Sequence, residues 1–303
     1  MKDLGIIRTA LFVPGNRPER VDKAVRTAAD AVIIDLEDAV PYAAKKEARR
    51  FAHEKIMQYK SRNIFVRINS LDSEFMRDDL ETVVVEDLSC IIVPKIESGN
   101  DVRQIDQYLF KEEERKGIEP GAVSIMPLIE SASAVENVFQ IASIKTDPNR
   151  LFTLAFGAAD FTLDMGIAMT TTGEELFYPR ARIAIACRAA DIVPPLDTPS
   201  MVDFKNIETL ETDAKTARRL GFQGKLCIHP VQVEPCNRLF SPTEEEIEFA
   251  KKVIAEFDQA EAEGSAAIEL EGKFIDYAMV HRSKRVLAIS DILKKRLSMP
   301  KKD

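Results

Sequence analysis

Tryptophan is absent from this chain, and histidine and cysteine are scarce. The three histidines, His53, His229 and His281, stand far apart, which argues against a local His-rich metal site. The four cysteines, Cys90, Cys187, Cys227 and Cys236, are scattered without C-x-x-C spacing. A zinc site and a disulfide framework are therefore both disfavoured, and reduced thiols are the simplest account. No stretch reaches the roughly 20 apolar residues that span a bilayer. The start, MKDLGIIRTA, lacks the apolar core of a signal peptide, so the expected location is cytoplasmic. There is no Lys/Arg-rich block, and the net charge of −8 argues against nucleic acid as the main partner. No G-x-G-x-x-G follows the first apolar run, which counts against a dinucleotide-binding open sheet.

What is present is a repeated alternation. Apolar runs at 9–13, 31–35, 63–69, 90–93, 123–130, 151–156, 191–193 and 224–228 read as strands. Helical patterns start near Pro18 and cover about 43–59, 77–87, 100–116, 131–144, 178–190 and 206–220; GAADFTLDMG reads as a loop. Eight β-α units in about 240 residues predict a closed (β/α)8 TIM barrel, an α/β fold, over 1–240. Pro14, Pro94, Pro127 and Pro194 fall at or just before the ends of apolar runs, where ladder pairing stops. After residue 240 the pattern changes. A helix-start signal at Ser241-Pro242-Thr243, two short strands turning near Glu271-Gly272 and a helix over 277–297 make 241–303 a C-terminal helical and hairpin extension. It is placed as a cap on the barrel or a reach to a neighbouring subunit.

Polar residues gather where the apolar runs end, and that rim of a barrel carries its chemistry. Glu130 ends one run, and Asp160 follows the next after Gly157-Ala158-Ala159, so both fall at the same end of neighbouring strands. Two carboxylates there suit a Mg²⁺ that keeps positions open for substrate oxygens; the alternative is a pair of surface acids. Arg67 stands in a strand among apolar neighbours. Its guanidinium would capture a substrate carboxylate, or else pair with Asp35, Glu37 or Asp38. Lys95 and Glu97 suggest a salt-bridged pair. His229 reads as a hydrogen-bonded structural group and Asp164 as a helix cap or solvated acid. Asp276 signals little by itself.

RTALFVPGNRPER, IIDLEDAV, VRIN, PKIES, PLIES, FGAADF, GKLCIHP and GKFID occur in that order across roughly residues 8–290. Together they resemble the citrate lyase β-subunit-like CoA-ester lyases of the HpcH/HpaI aldolase superfamily. The resemblance implies a TIM barrel in a homotrimer or a dimer of trimers. It implies Mg²⁺ on Glu130 and Asp160, and Arg67 on the substrate carboxylate and the developing negative charge. It places Phe12 and Arg17 near the CoA moiety, counts Glu37 and Asp38 with the substrate-binding acids, and makes Asp276 an acid/base delivered from an adjacent subunit. Family members commonly carry proline two residues after that aspartate, where this chain has Ala278. The implied reaction is cleavage or formation of a β-hydroxyacyl-CoA thioester of the malyl, citramalyl or citryl type, giving acetyl-CoA and a 2-oxo acid. The alternatives are a citrate lyase β subunit acting on a carrier-protein thioester, and a CoA-independent 2-keto-3-deoxy acid aldolase. The latter characteristically pairs a histidine with the acids after the second strand, where Asp38 stands.

Overall fold

A strand buried on both faces has no polar face to alternate with, so it reads as an unbroken apolar run. Eight such runs close into a parallel barrel in the computed structural model, which describes residues 4–298. The strands are β1 (Thr9–Pro14), β2 (Ala31–Asp35), β3 (Ile64–Arg67), β4 (Cys90–Val93), β5 (Ser124–Ile129), β6 (Ala155–Phe156), β7 (Leu196–Asp197) and β8 (Gly224–Cys227). They run in sequence order around the barrel. β1 closes on β8 through Thr9 beside Lys225, Ala10 beside Leu226 and Leu11 beside Cys227. Between them lie α1 (Pro18–Ala24), α2 (Lys45–Gln58), α3 (Met76–Val83), α4 (Gly99–Lys116), α5 (Ala132–Glu136), α6 (Val138–Ala142), α7 (Ala158–Asp164), α8 (Phe177–Ala189) and α9 (Ile207–Leu220), with α10 (Val233–Leu239) after β8.

Side chains alternate between two cores. Ala10, Ile33, Phe65, Ile92, Met126 and Leu226 fill the barrel interior. Leu11, Val32, Ile34, Val66 and Ile91 face the other way and join Ala48, Ala52, Ile105 and Ile183 of the helices. Each fully buried Ile or Leu contributes about 1.5–3 kcal/mol, so two such layers outweigh the cost of a few charged rim residues. Because the period is two, the inward row continues at the C-terminal rim as Phe12, Asp35, Arg67 and Glu130.

Four elements depart from the sequence expectation, one of them α7, which forms within GAADFTLDMG where a loop is expected. β7 is Leu196–Asp197 rather than 191–193. Asp191 adopts a positive φ of 56°, and Pro194 and Pro195 have no N–H to offer, so pairing begins where Leu196 N donates to Leu154 O at 3.0 Å. Pro194 therefore precedes its strand, and Pro127 lies inside β5. The 151–156 run pairs in two pieces, a bridge at Leu151 and β6 at Ala155–Phe156; between them Thr153 Oγ1 donates to the Val193 and Pro194 carbonyls. The 131–144 helix divides at Asn137, whose side chain donates to Glu97 O.

Residues 241–298 form a unit of their own. Thr243 and Glu246 close a capping box at the start of α11 (Glu244–Ala262). A hairpin of β9 (Ile268–Leu270) and β10 (Lys273–Ile275) turns through Glu271 and Gly272, both at positive φ. α12 (Tyr277–Ser298) follows, and Val253, Phe257, Ile275 and Val280 form the unit's core.

Candidate active site

A cavity of about 500 Å³ opens at the C-terminal ends of the strands. Phe12, Asp35, Asp38, Arg67, Glu130 and Asp160 line it, with Leu128, Met201 and Ile228 as apolar wall. Phe12, Asp35, Arg67, Glu130, Thr198 and Ile228 all lie two residues beyond an inward-facing strand residue, so one parity explains how distant segments converge.

Arg67 ends β3 opposite Asp35 in the β2 register. Its Nε and Nη2 donate to the two Asp35 oxygens at 2.7 and 2.6 Å. Its Nη1 lies 3.1 Å from Glu37 Oε2 and 3.5 Å from Asp38 Oδ2, and its carbon stands 5.1 Å from the centre of the Phe12 ring. The guanidinium is thus an internal ion-pair partner that also borders the cavity. Its bidentate edge is taken by Asp35, and its Nη1 side faces Glu37 and Asp38. Glu37 is buried, and that burial drives its carboxyl up to about 7, against the pull of Arg67 and Lys95.

Glu130 follows β5 directly, and Asp160 sits in the first turn of α7 rather than at a strand end. Burial is the main force raising the Glu130 carboxyl to about 8, and the charges of Glu37 and Asp160 add to it. Its Oε1 accepts the Lys95 amide at 2.7 Å. Lys95 takes a positive φ of 55° to aim that amide, a strain of the kind found at functional sites. A Cβ at Gly157 would stand 2.8 Å from Glu130 Oε2, so only glycine leaves that oxygen its room. The Ala158 amide at the start of α7 is taken by Thr198 Oγ1 at 3.0 Å.

The remaining predicted residues are placed as follows. Lys95 Nζ lies 3.3 Å from Glu37 Oε1, so its carboxylate partner is Glu37 rather than Glu97. Asp164 accepts the Ala132 amide at the start of α5, and His229 caps a one-turn helix through Val231 N. Arg17 is exposed at the N-cap of α1, and Arg20 beyond it lines the cavity. Asp276 accepts Met279 N at 3.1 Å at the head of α12, within the separate C-terminal unit. All four cysteines are buried and free. Sequence reasoning missed Arg20 and Thr198; the two-residue period from Leu196 would have found Thr198 had β7 been placed correctly.

Acids and an arginine converging at the C-terminal mouth of a closed (β/α)8 barrel define a TIM-barrel enzyme site. Residues 8–230 match the family model described as HpcH/HpaI aldolase/citrate lyase, and the chain belongs to that family of carbon–carbon lyases. It is 35% identical over 286 residues to citrate lyase subunit beta of Leuconostoc mesenteroides subsp. cremoris, covering 94% of this chain and 93% of that one. It is 31% identical over 309 residues to L-malyl-CoA/beta-methylmalyl-CoA lyase of Rhodobacter capsulatus, covering 95% of each. Among solved structures it resembles the CitE protein of Mycobacterium tuberculosis in complex with magnesium, acetoacetate and coenzyme A. That likeness has a TM-score of 0.76 and 25% identity, over 95% of this chain and 99% of the other. No helix among the described residues is long and apolar enough to cross a membrane.

Proposed function

We propose that this protein is a cytoplasmic, Mg²⁺-dependent lyase that cleaves or forms a β-hydroxyacyl-CoA thioester of the malyl, citramalyl or citryl type. The products of cleavage are acetyl-CoA and a 2-oxo acid. The observation that carries the reading is the meeting of Glu130, Asp160 and Arg67 in one cavity at the C-terminal rim.

The residues fit a hard divalent cation. Glu130 is buried with its carboxyl raised to about 8 and Asp160 acting on it, an arrangement that a cation would relieve. Gly157 keeps the approach to Glu130 Oε2 clear. Among the described residues no group of three or more His, Cys, Asp or Glu forms a fuller cage. Two carboxylates suit Mg²⁺, which takes its other positions from substrate and water. Bound there, Mg²⁺ supplies Lewis-acid polarisation of the oxo acid carbonyl.

In the condensation direction Asp276 takes the proton from the thioester α-carbon. The carbanion pair then forms the bond to the oxo acid carbonyl carbon as the C=O π pair moves onto oxygen, and that oxygen, after gaining negative charge, takes a proton from water to become the product hydroxyl. The Nη1 side of Arg67, fixed in place by Asp35, faces that charge without reorganising, the preorganised electrostatics that dominate many such barriers. Phe12, Arg17 and Arg20 receive the CoA portion, and Asp38 and Glu37 set the charge balance around Arg67. Cleavage runs the same steps backwards, with Asp276 returning the proton to the α-carbon. The chain works as a homotrimer or a dimer of trimers, with 241–303 presenting Asp276 to an adjacent subunit.

The test is a panel of malyl-, methylmalyl-, citramalyl- and citryl-CoA, assayed with Mg²⁺ and with EDTA for released acyl-CoA and 2-oxo acid. Cleavage of at least one ester with Mg²⁺ and none with EDTA is expected. Inactivity on all four would sink the CoA reading. The similarity to citrate lyase β subunits favours one second reading, a carrier-protein thioester substrate, which the matching acyl-carrier ester tests directly.

A further inference from the structure

Lys45, at the first position of α2, is only 8% exposed. Its ammonium donates to Leu36 O, Glu37 O and Asn69 Oδ1, each at 2.7 Å. An ammonium has three protons, so its donors are fully used, and all three acceptors are uncharged. Burying a lysine this way is expensive, and the burial holds its pKa below the usual value although Asp35, Asp79, Glu37 and Asp38 favour the charged form.

The acceptors show what that cost supports. Leu36 and Glu37 form the turn between Asp35, which holds the Arg67 fork, and Asp38, which lines the cavity. Asn69 lies two residues past Arg67. Its side chain donates to Leu36 O at 3.1 Å and to Asp79 Oδ2 at 2.6 Å, and its own amide reaches Asp79 Oδ2 at 2.9 Å. Asp35 grips the same turn from the other side through the Glu37 and Ala39 amides, at 2.9 and 3.2 Å. Lys45 therefore ties the segment after β2 to the segment after β3, the two segments whose acids and arginine face each other.

We propose that Lys45 is a positioning residue for the lyase reaction: it sets the turn that carries Glu37 and Asp38 against Arg67, and never meets the substrate. The proposal rests on the reading of this rim as the reaction centre. A brace that only stabilised the barrel would alter how much protein is folded and leave the turnover of each folded molecule alone. A positioning residue lowers kcat, because small displacements of a preorganised charge are costly to rate.

Lys45→Met keeps an unbranched stem in place of the lysine's four carbons and removes the ammonium. The expected result is a kcat loss on the order of tenfold or more per folded molecule, with KM for the CoA thioester little changed. Hydrogen exchange should quicken at amides 36–40 while β4 and β5 keep their protection. Wild-type kcat in folded Lys45→Met would overturn the proposal, and so would exchange that quickens evenly through the barrel. Asn69→Ala removes one of the three acceptors and serves where Lys45→Met does not fold. It should shift kcat and the 36–40 amides in the same direction by less, and a loss of stability alone would count against the proposal. Were the wild-type protein inactive on every thioester, the proposed function would fall. The exchange comparison would still decide whether Lys45 sets the turn.

Discussion

Two clusters of charge lie against the same barrel, one turned inward and one outward. The outward cluster joins Arg180 of α8, Asp197 of β7, Asp213 of α9 and Lys225 of β8. Asp197 and Lys225 are neighbours in register. Arg180 reaches Asp197 at 2.8 Å and Asp213 at 2.6 Å, and Lys225 reaches them at 2.5 and 2.6 Å. Two cations face two carboxylates, and each is met by both opposite charges. The inward cluster sets Asp35, Glu37, Asp38, Glu130 and Asp160, five carboxyls, against Arg67, Lys95, the buried Lys45 and the cavity-lining Arg20. Burial would raise the carboxyls in both places. In the outward cluster Lys225 and Arg180 outweigh it and hold Asp213 below the ordinary carboxyl value. At the rim nothing does so for Glu130, which rises to about 8. A balanced cluster is structure completed by the chain itself. An acid-rich cluster beside a cavity leaves a place for a cation the chain does not contain.

The largest expected effect that would break this contrast is on stability. Lys225→Met leaves Asp197 fully buried with one cation fewer, and should cost about 3–5 kcal/mol in denaturant unfolding while the folded protein keeps its kcat. Equal losses of stability and turnover would erase the distinction between the clusters. Next comes Arg67→Lys, which keeps the charge and loses the planar fork that Asp35 orients. Turnover should fall about 10²–10³-fold, with less loss of stability than Lys225→Met. An unchanged kcat would move Arg67 from the reaction to the scaffold.

The smallest effect sharpens the comparison through pH. Because the folded-state carboxyl of Asp213 lies below its ordinary 3.8, its contribution is complete above that value and is lost as pH falls through the lower folded value. The stability gap between the wild type and Asp213→Asn should therefore be flat near neutrality and close in acid below about pH 3.8, as read by denaturation at each pH. A gap that widened in acid would mean that the cations do not depress this carboxyl.

Much of the architecture was legible because burial on both faces writes a strand as an apolar run. Seven of the eight strand regions overlap the predicted runs, β1 to β6 and β8. β7 escaped because DIV is more apolar than the residues that pair, and the two prolines between them forbid the ladder to start earlier. The 158–164 stretch escaped because a two-turn helix is too short to show a period, and so Asp160 was assigned to a strand end rather than to a helix. Arg67 illustrates the limit at a single residue. Its neighbours showed that a buried cation needs an anion, but substrate and Asp35 satisfy that need equally on paper. Lys45 gave no signal, since a lysine at the start of a charged helix looks like any solvated one.

Local chemistry determined the period of the runs, the glycines and prolines that end them and the order of the acids along the chain. These are properties of short segments, and they sufficed for a barrel with an acidic rim. The partners of each charge were decided only by closure. Asp35 meets Arg67 in register across β2 and β3, Lys95 reaches Glu37 past β3 from the end of β4, and the Lys95 amide meets Glu130 from the end of β5, pairs 30 to 60 residues apart in sequence. A charge responds to what lies within a few ångströms, and that distance does not exist until the barrel is shut.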